Sequence, residues 1–144
     1  MKPKGCIVDT NIVVSGLIGP SSAPPARILR VMLGGGILYL MSSDLLDEYS
    51  SVLRRPNLAR LHGRTNEEIN RLLADLVANA MWRDPVVSED SPDAGDNHLW
   101  ALLASHPQAL LVTGDRLLLE NPPSRASVIS PRRFVDTFLP SREN

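Results

Sequence analysis

Two apolar runs in this chain end on an aspartate: Cys6-Ile7-Val8 leads into Asp9, and Val112-Thr113-Gly114 leads into Asp115. Aspartate is a common turn residue, so either one alone would read as a cap or a turn. Two of them on separate strands of one sheet point to a shared site, because open parallel sheets bind ligands beyond the carboxyl ends of their strands. Helical phase selects two more acids. In the 43–54 segment the stripe is Leu45, Leu46, Tyr49, Val52 and Leu53; at about 100° per residue Glu48 lies at its flank and Asp47 points to water. Asp44 suits the first turn, where an acid meets the helix dipole. In the 96–105 segment Asp96 shares a face with Leu99 and Leu103, while Asn97 points away. Asp93 is left open between an outer ligand and a loop acid, and Asp84, Glu89 and Asp90 read as a solvated acidic run.

Carboxylates that converge in a partly buried pocket repel one another, and a divalent cation relieves that repulsion. Oxygen-only ligands select hard ions, Mg²⁺ or Mn²⁺, over zinc. The three histidines, His62, His98 and His106, show no metal-ligand spacing, and His98 is expected as an exposed helix residue. The single cysteine, Cys6, sits in an apolar run and reads as a buried thiol, so neither a disulfide nor a cysteine-rich zinc cage is available. Ser15, Ser42 and Ser43 lack a base in any arrangement that would make a nucleophile.

The elements that must hold these acids follow from pattern. Cys6-Ile7-Val8, 37–41, 109–113 and Ser127-Val128-Ile129 are unbroken apolar runs of strand length, with Val86-Val87 as an edge strand. A loop carrying Gly16, Gly19, Pro20, Pro24 and Pro25 is expected after Asp9. Helices are expected over 26–33, stopped by Gly34-Gly35-Gly36, and from Ser42 or Ser43 to Arg54, before Pro56. Thr65-Asn66-Glu67-Glu68 matches a capping box, and Ile69, Leu72, Leu73, Leu76, Val77, Ala80 and Met81 follow at helical spacing. A helix over 96–105 and a closing helix entered by Pro131 complete the set. Buried strands alternating with helices indicate a three-layer α/β/α domain with a mostly parallel sheet, one domain over residues 1–144.

Composition sets the outer bounds. The chain has 144 residues, 43% hydrophobic and 22% charged, enough to bury a core without cross-links. No run approaches a membrane span, and Asp9 and Asn11 interrupt any secretory signal, so the expectation is a cytoplasmic protein. The net charge of −1 is unevenly spread: residues 1–64 carry +4, residues 65–115 carry −7 and residues 116–144 carry +2. Arginine supplies 13 of the 15 basic residues, the type suited to bidentate phosphate contacts.

Five segments together resemble the PIN-domain family of nucleases. They are Val8-Asp9-Thr10-Asn11, Leu45-Leu46-Asp47-Glu48-Tyr49, Asp96-Asn97-His98-Leu99-Trp100-Ala101, Val112-Thr113-Gly114-Asp115 and Ile129-Ser130-Pro131-Arg132-Arg133-Phe134. The resemblance implies that Asp9, Glu48, Asp96 and Asp115 bind Mg²⁺ or Mn²⁺, with Asn11 and Thr113 in support. The chain departs from the family where relatives often carry adjacent acids, since Ala94-Gly95 separates Asp93 from Asp96. The subgroup it is similar to comprises toxins of bacterial toxin–antitoxin pairs. That implies an RNA substrate, a small antitoxin partner and a homodimer.

The implied chemistry is metal-assisted hydrolysis of a phosphodiester, leaving a 5′-phosphate and a 3′-hydroxyl. Arg27, Arg30, Arg54, Arg55, Arg116, Arg132 and Arg133 are candidates to hold the RNA backbone. A housekeeping RNA-processing nuclease, or a non-catalytic RNA- or protein-binding member of the fold, remains the alternative. A phosphoaspartate receiver would need a lysine near the last strands, and the lysines are Lys2 and Lys4. A haloacid-dehalogenase-type phosphatase would need an aspartate where Asn11 stands.

Overall fold

The computed structural model describes residues 5–83, 90–124 and 126–139. Five short strands form its centre: β1 (Cys6–Val8), β2 (Leu40–Met41), β3 (Met81–Trp82), β4 (Leu110–Val112) and β5 (Ser127–Ile129). All their pairings are parallel. β1 pairs with β4 and β4 with β5, β2 pairs with β3, and a bridge between Cys6 and Tyr39 joins the two groups. Read across, the order is β3-β2-β1-β4-β5. The chain leaves β1 toward β2 on one side and later returns to β4 on the other. The crevice of such a sheet therefore opens between the carboxyl ends of β1 and β4.

Helices cover both faces, as expected for an α/β/α domain. They are α1 (Thr10–Ile18), α2 (Pro24–Leu33), α3 (Ser43–Leu53), α4 (Pro56–His62), α5 (Asn66–Ala78), α6 (Asn97–Ser105), α7 (Arg116–Glu120) and α8 (Pro131–Phe138). A 3₁₀ turn, Ala94–Asp96, leads into α6. The caps explain the starts. Ser42 accepts from the Leu45 N–H, Ser130 from the Arg133 N–H, and Thr65 and Glu68 make a reciprocal capping box. Two buried phenols fasten helix to sheet: Tyr49 of α3 donates to the Val8 carbonyl of β1, and Tyr39 to the Leu76 carbonyl of α5. Among the described residues no helix is long and apolar enough to cross a membrane.

Three expectations are corrected. The loop expected after Asp9 is a helix, α1, and Gly16 lies inside it. A side chain there would meet the Pro25 carbonyl at 3.0 Å and Leu29 Cβ at 3.1 Å, so the glycine permits close approach of α1 and α2. The strand expected over 37–41 is regular only at Leu40–Met41. The helix expected to run through Ala80 and Met81 ends at Ala78, because the Met81 and Arg83 N–H groups bond to the Tyr39 and Met41 carbonyls. Two short helices, α4 and α7, lie where the sequence pattern assigns no element. Pro56 starts α4, and Gly63, at φ 66°, ends it in the left-handed region that glycine favours. Val86-Val87 lies outside the described residues.

The α1–α2 approach makes a testable case in which helix propensity and packing disagree. Gly16→Val adds bulk where Leu29 and the Pro25 carbonyl already touch, and overpacking of this kind costs about 1–3 kcal/mol. Urea unfolding followed by circular dichroism should show that loss, whereas propensity alone would favour the non-glycine residue.

Candidate metal centre

Asp9 follows the last residue of β1 and caps α1, which fixes its carboxylate at the mouth of the crevice. It is 5% exposed, and both oxygens are engaged. Oδ1 accepts from the Thr10 N–H at 2.7 Å. Oδ2 accepts from the Thr113 hydroxyl at 2.7 Å and from the Asn11 amide at 3.3 Å. Burial pushes its pKa up, the bonds from Thr113 and Thr10 pull it down, and the charges of Glu48 and Asp115 raise it again. The net direction is upward, toward a carboxyl that holds its proton.

Thr113 is fully buried and couples the two strand ends. Its hydroxyl donates to Asp9, and its oxygen accepts from the Asp115 N–H at 3.0 Å. Asn11 makes a second, outer link, since its Oδ1 accepts from the Gly114 N–H at 3.3 Å. Asp115 caps α7 through the Leu117 N–H at 2.9 Å. That helix start orients it at the rim of the crevice.

Glu48 comes from α3 and Asp96 from the turn before α6, and these two helices pack together. Glu48 accepts from the Thr10 hydroxyl and lies 3.3 Å from His98 Nε2. The His98 bond holds its pKa below the usual carboxylate range; burial opposes this, and the Thr10 bond and the charges of His98 and Arg55 add to the lowering. Asp47 instead lines a groove between α3 and α5 with Leu46, Ser50 and Leu73, so the helical phase separates neighbouring acids as expected. Asp96 is pushed up to about 6, first by burial and then by the charges of Asp9, Asp93, Glu48 and Asp115. Asp93 is exposed and accepts from the Gly95 N–H at 2.9 Å, capping the 3₁₀ turn and acting on Asp96 through its charge.

His98 is the main correction at the site. It is not an exposed helix residue: its side chain is 12% exposed and faces Glu48, and its Nδ1 is buried without a partner among the described residues. Burial works to lower its pKa, but the Glu48 hydrogen bond and the charges of Glu48, Asp96 and Asp44 outweigh it, and the net direction is upward. Sequence spacing held no signal for this contact, which spans 50 residues and depends on how α3 meets α6. Thr10 was also missed as a site residue, although it sits inside the Asp9-Thr10-Asn11 segment. Asn97 does point away, accepting from the Ser91 N–H at 2.8 Å.

The arginines divide by their partners. Arg54 is tied to Ser50, Asn66 and Asn70, Arg27 to the Leu139 carbonyl, Arg30 to the Ser21 carbonyl, and Arg116 to Glu120. Arg55, Arg132 and Arg133 are exposed, and their side chains make no hydrogen bond or ion pair among the described residues. The charge of Arg55 acts on a site carboxylate, Glu48.

The donor set fits a divalent cation. Ligand atoms of Glu48, Asp96 and His98 all lie within 4.8 Å of one another, and Asp9 and Asp115 share their electrostatic neighbourhood. Asp96, raised first by burial and then by the charges of its neighbours, marks a place where positive charge is wanted, and the partnerless Nδ1 leaves one ring nitrogen of His98 uncommitted.

The raised Asp96 sets the sign of a pH effect in the metal-free protein. Its folded pKa, about 6, exceeds the unfolded value of 3.8, so the folded state binds the proton more tightly. Stability from this group is full below about pH 4 and is lost as pH rises through about 6. With EDTA present, Asp96→Asn should melt above the parent at pH 7, with the gap closing toward pH 4. Melting curves that stay parallel across that range would show that Asp96 is not under this strain.

A family model described as a PIN domain matches residues 6–117. The uncharacterized protein MJ1680 of Methanocaldococcus jannaschii is 24% identical over 141 residues, covering 92% of this chain and 90% of that protein. The solved T. brucei RRP44 PIN domain aligns with a TM-score of 0.49 at 15% identity, covering 95% of this chain and 81% of that one. The family match takes in the ends of β1 and β4, α3 and the start of α6. With all four acids inside it, the chain belongs to the PIN-domain family and carries its nuclease-type fold.

Proposed function

We propose that this chain is a Mg²⁺- or Mn²⁺-dependent endoribonuclease and that it acts as the toxin of a toxin–antitoxin pair. The observation that carries the enzymatic reading is the convergence of Asp9, Glu48, Asp96 and Asp115, from four separate segments, on one crevice at the carboxyl edge of a parallel sheet. A structural role does not account for it, because mutual repulsion makes the cluster costly without a cation. The toxin role, the antitoxin and the homodimer rest on the resemblance of the sequence to toxins of such pairs.

When bound, the metal supplies the acidification of water and the neutralisation of phosphoryl charge that hydrolysis requires. The chain's own residues do the rest. Thr113 and the Thr10 N–H hold Asp9 in one orientation, and the Thr10 hydroxyl and His98 hold Glu48. Such fixed carboxylates need no rearrangement when charge develops on the substrate. Arg55, exposed and without a side-chain hydrogen bond or ion pair among the described residues, acts on Glu48 through its charge and is a candidate to grip a backbone phosphate. A basic antitoxin side chain inserted among the acids would compete for the cation's place and relieve the same repulsion.

Purified protein should cleave single-stranded RNA with Mg²⁺ or Mn²⁺ and stop in excess EDTA. Glu48→Gln should abolish cleavage, and Asp47→Asn, one residue away, should leave it within about threefold of the parent. Equal losses at both positions would undo the reading. Growth arrest on expression, relieved by the neighbouring reading frame, would support the toxin role; robust cleavage in vitro without toxicity would favour a housekeeping nuclease.

RNA holding can be read apart from cleavage in the Glu48→Gln background. Adding Arg55→Ala should weaken binding of single-stranded RNA, measured by fluorescence anisotropy, and reduce its salt dependence by about one phosphate contact. Adding Arg54→Ala should instead lower the melting temperature, since its bonds run to α3 and α5.

A further inference from the structure

His98 stands apart from the carboxylates around it. It lies in the first turn of α6, two residues beyond Asp96, and it is the one nitrogen donor in the group. Its ring is packed between α6 and α3, with Nε2 3.3 Å from Glu48 Oε2. Nδ1 is buried and has no partner among the described residues. A histidine that merely anchored Glu48 would leave that second nitrogen desolvated with nothing to bond, and unmade hydrogen bonds of that kind are costly. Anchoring Glu48 accounts for one ring nitrogen and leaves the other uncommitted.

We infer that His98 is a ligand of the metal centre, giving a mixed nitrogen and oxygen site that favours Mn²⁺ and later transition ions over Mg²⁺. The inference deepens the reading of the site as a divalent-metal centre and rests on it. Ligands about 2.1 Å from an ion on opposite sides are about 4.2 Å apart, and the donor atoms of Glu48, Asp96 and His98 already fall within 4.8 Å. Small side-chain adjustments are enough to enclose an ion. Imidazole is a poor ligand for Mg²⁺, which holds oxygen and keeps its waters, whereas first-row transition ions accept nitrogen readily. An all-oxygen set would bind Mg²⁺ and Mn²⁺ with little distinction by ligand type; one imidazole in the set breaks that parity. Asp9 stays on the oxygen side of the site, held by Thr10, Asn11 and Thr113.

The test is spectroscopic and needs no turnover. Metal-stripped full-length protein is loaded with Mn²⁺ and studied by pulsed electron paramagnetic resonance. A directly bound ¹⁴N should appear, and labelling histidine with ¹⁵N should change its signature. His98→Gln should remove the signal and weaken Mn²⁺ binding, by calorimetry, about tenfold or more, with Mg²⁺ affinity within about threefold of the parent. Bound Mn²⁺ without a histidine nitrogen, or equal losses for the two ions, would overturn the inference and leave His98 as an anchor of Glu48. No Mn²⁺ binding by the parent would overturn the metal-centre reading itself, and this inference with it. If the variant does not fold, the labelled parent alone decides.

Discussion

Negative charge gathered at one point is the constraint to which the rest of this molecule answers. Four carboxylates share the crevice between β1 and β4, and the two whose pKa is driven upward, Asp9 and Asp96, are driven first by burial and then by their neighbours' charges. A fold does not accumulate such repulsion for stability's sake, since a buried acid beside like charges shifts toward its neutral form. The arrangement persists because donors hold it in place: two threonines, one asparagine and one histidine bond to Asp9 and Glu48. Thr113, fully buried, is bonded to both Asp9 and the loop of Asp115.

The topology makes this possible with very little regular structure. The strands are two or three residues long, yet all are parallel, so every carboxyl end lies on one edge. The register is exact enough to matter. Val8 pairs with Val112, so Asp9 and Thr113 follow at matching positions and their side chains meet. Tyr49 then ties α3 to the last carbonyl of β1, which sets the height of Glu48, one residue earlier, against Asp9. A sheet with a slipped register would put the threonine elsewhere and leave a buried aspartate without its bond.

Much of this was legible in the sequence, for reasons that are local. Apolar runs ending in Asp9 and Asp115, the capping box at Thr65, and the phase that separates Glu48 from Asp47 all depend on near neighbours in the chain. What escaped was decided by contacts between distant segments. Gly16 reads as a breaker until α2 is seen to need the space its missing side chain leaves. Met81 reads as the end of a helix until the open carbonyl of Tyr39 is seen to require a donor. His98 reads as exposed because its spacing from other ligands is meaningless along one helix; its partner, Glu48, lies on another.

The site therefore has two halves with different mechanical character. Asp9, Thr113 and Asp115 are joined through adjacent strands, and the backbone ladder between β1 and β4 fixes their separation. Glu48, Asp96 and His98 are carried by helices, and their separation depends on side-chain packing of α3 against α6. A backbone ladder resists deformation more than a side-chain contact between helices does. Any adjustment that closes the centre around a cation must then come from the helical half, with the strand half as the fixed reference. Thr10 spans the two, its N–H on Asp9 and its hydroxyl on Glu48, so the first residue of α1 is where movement of one half is felt by the other.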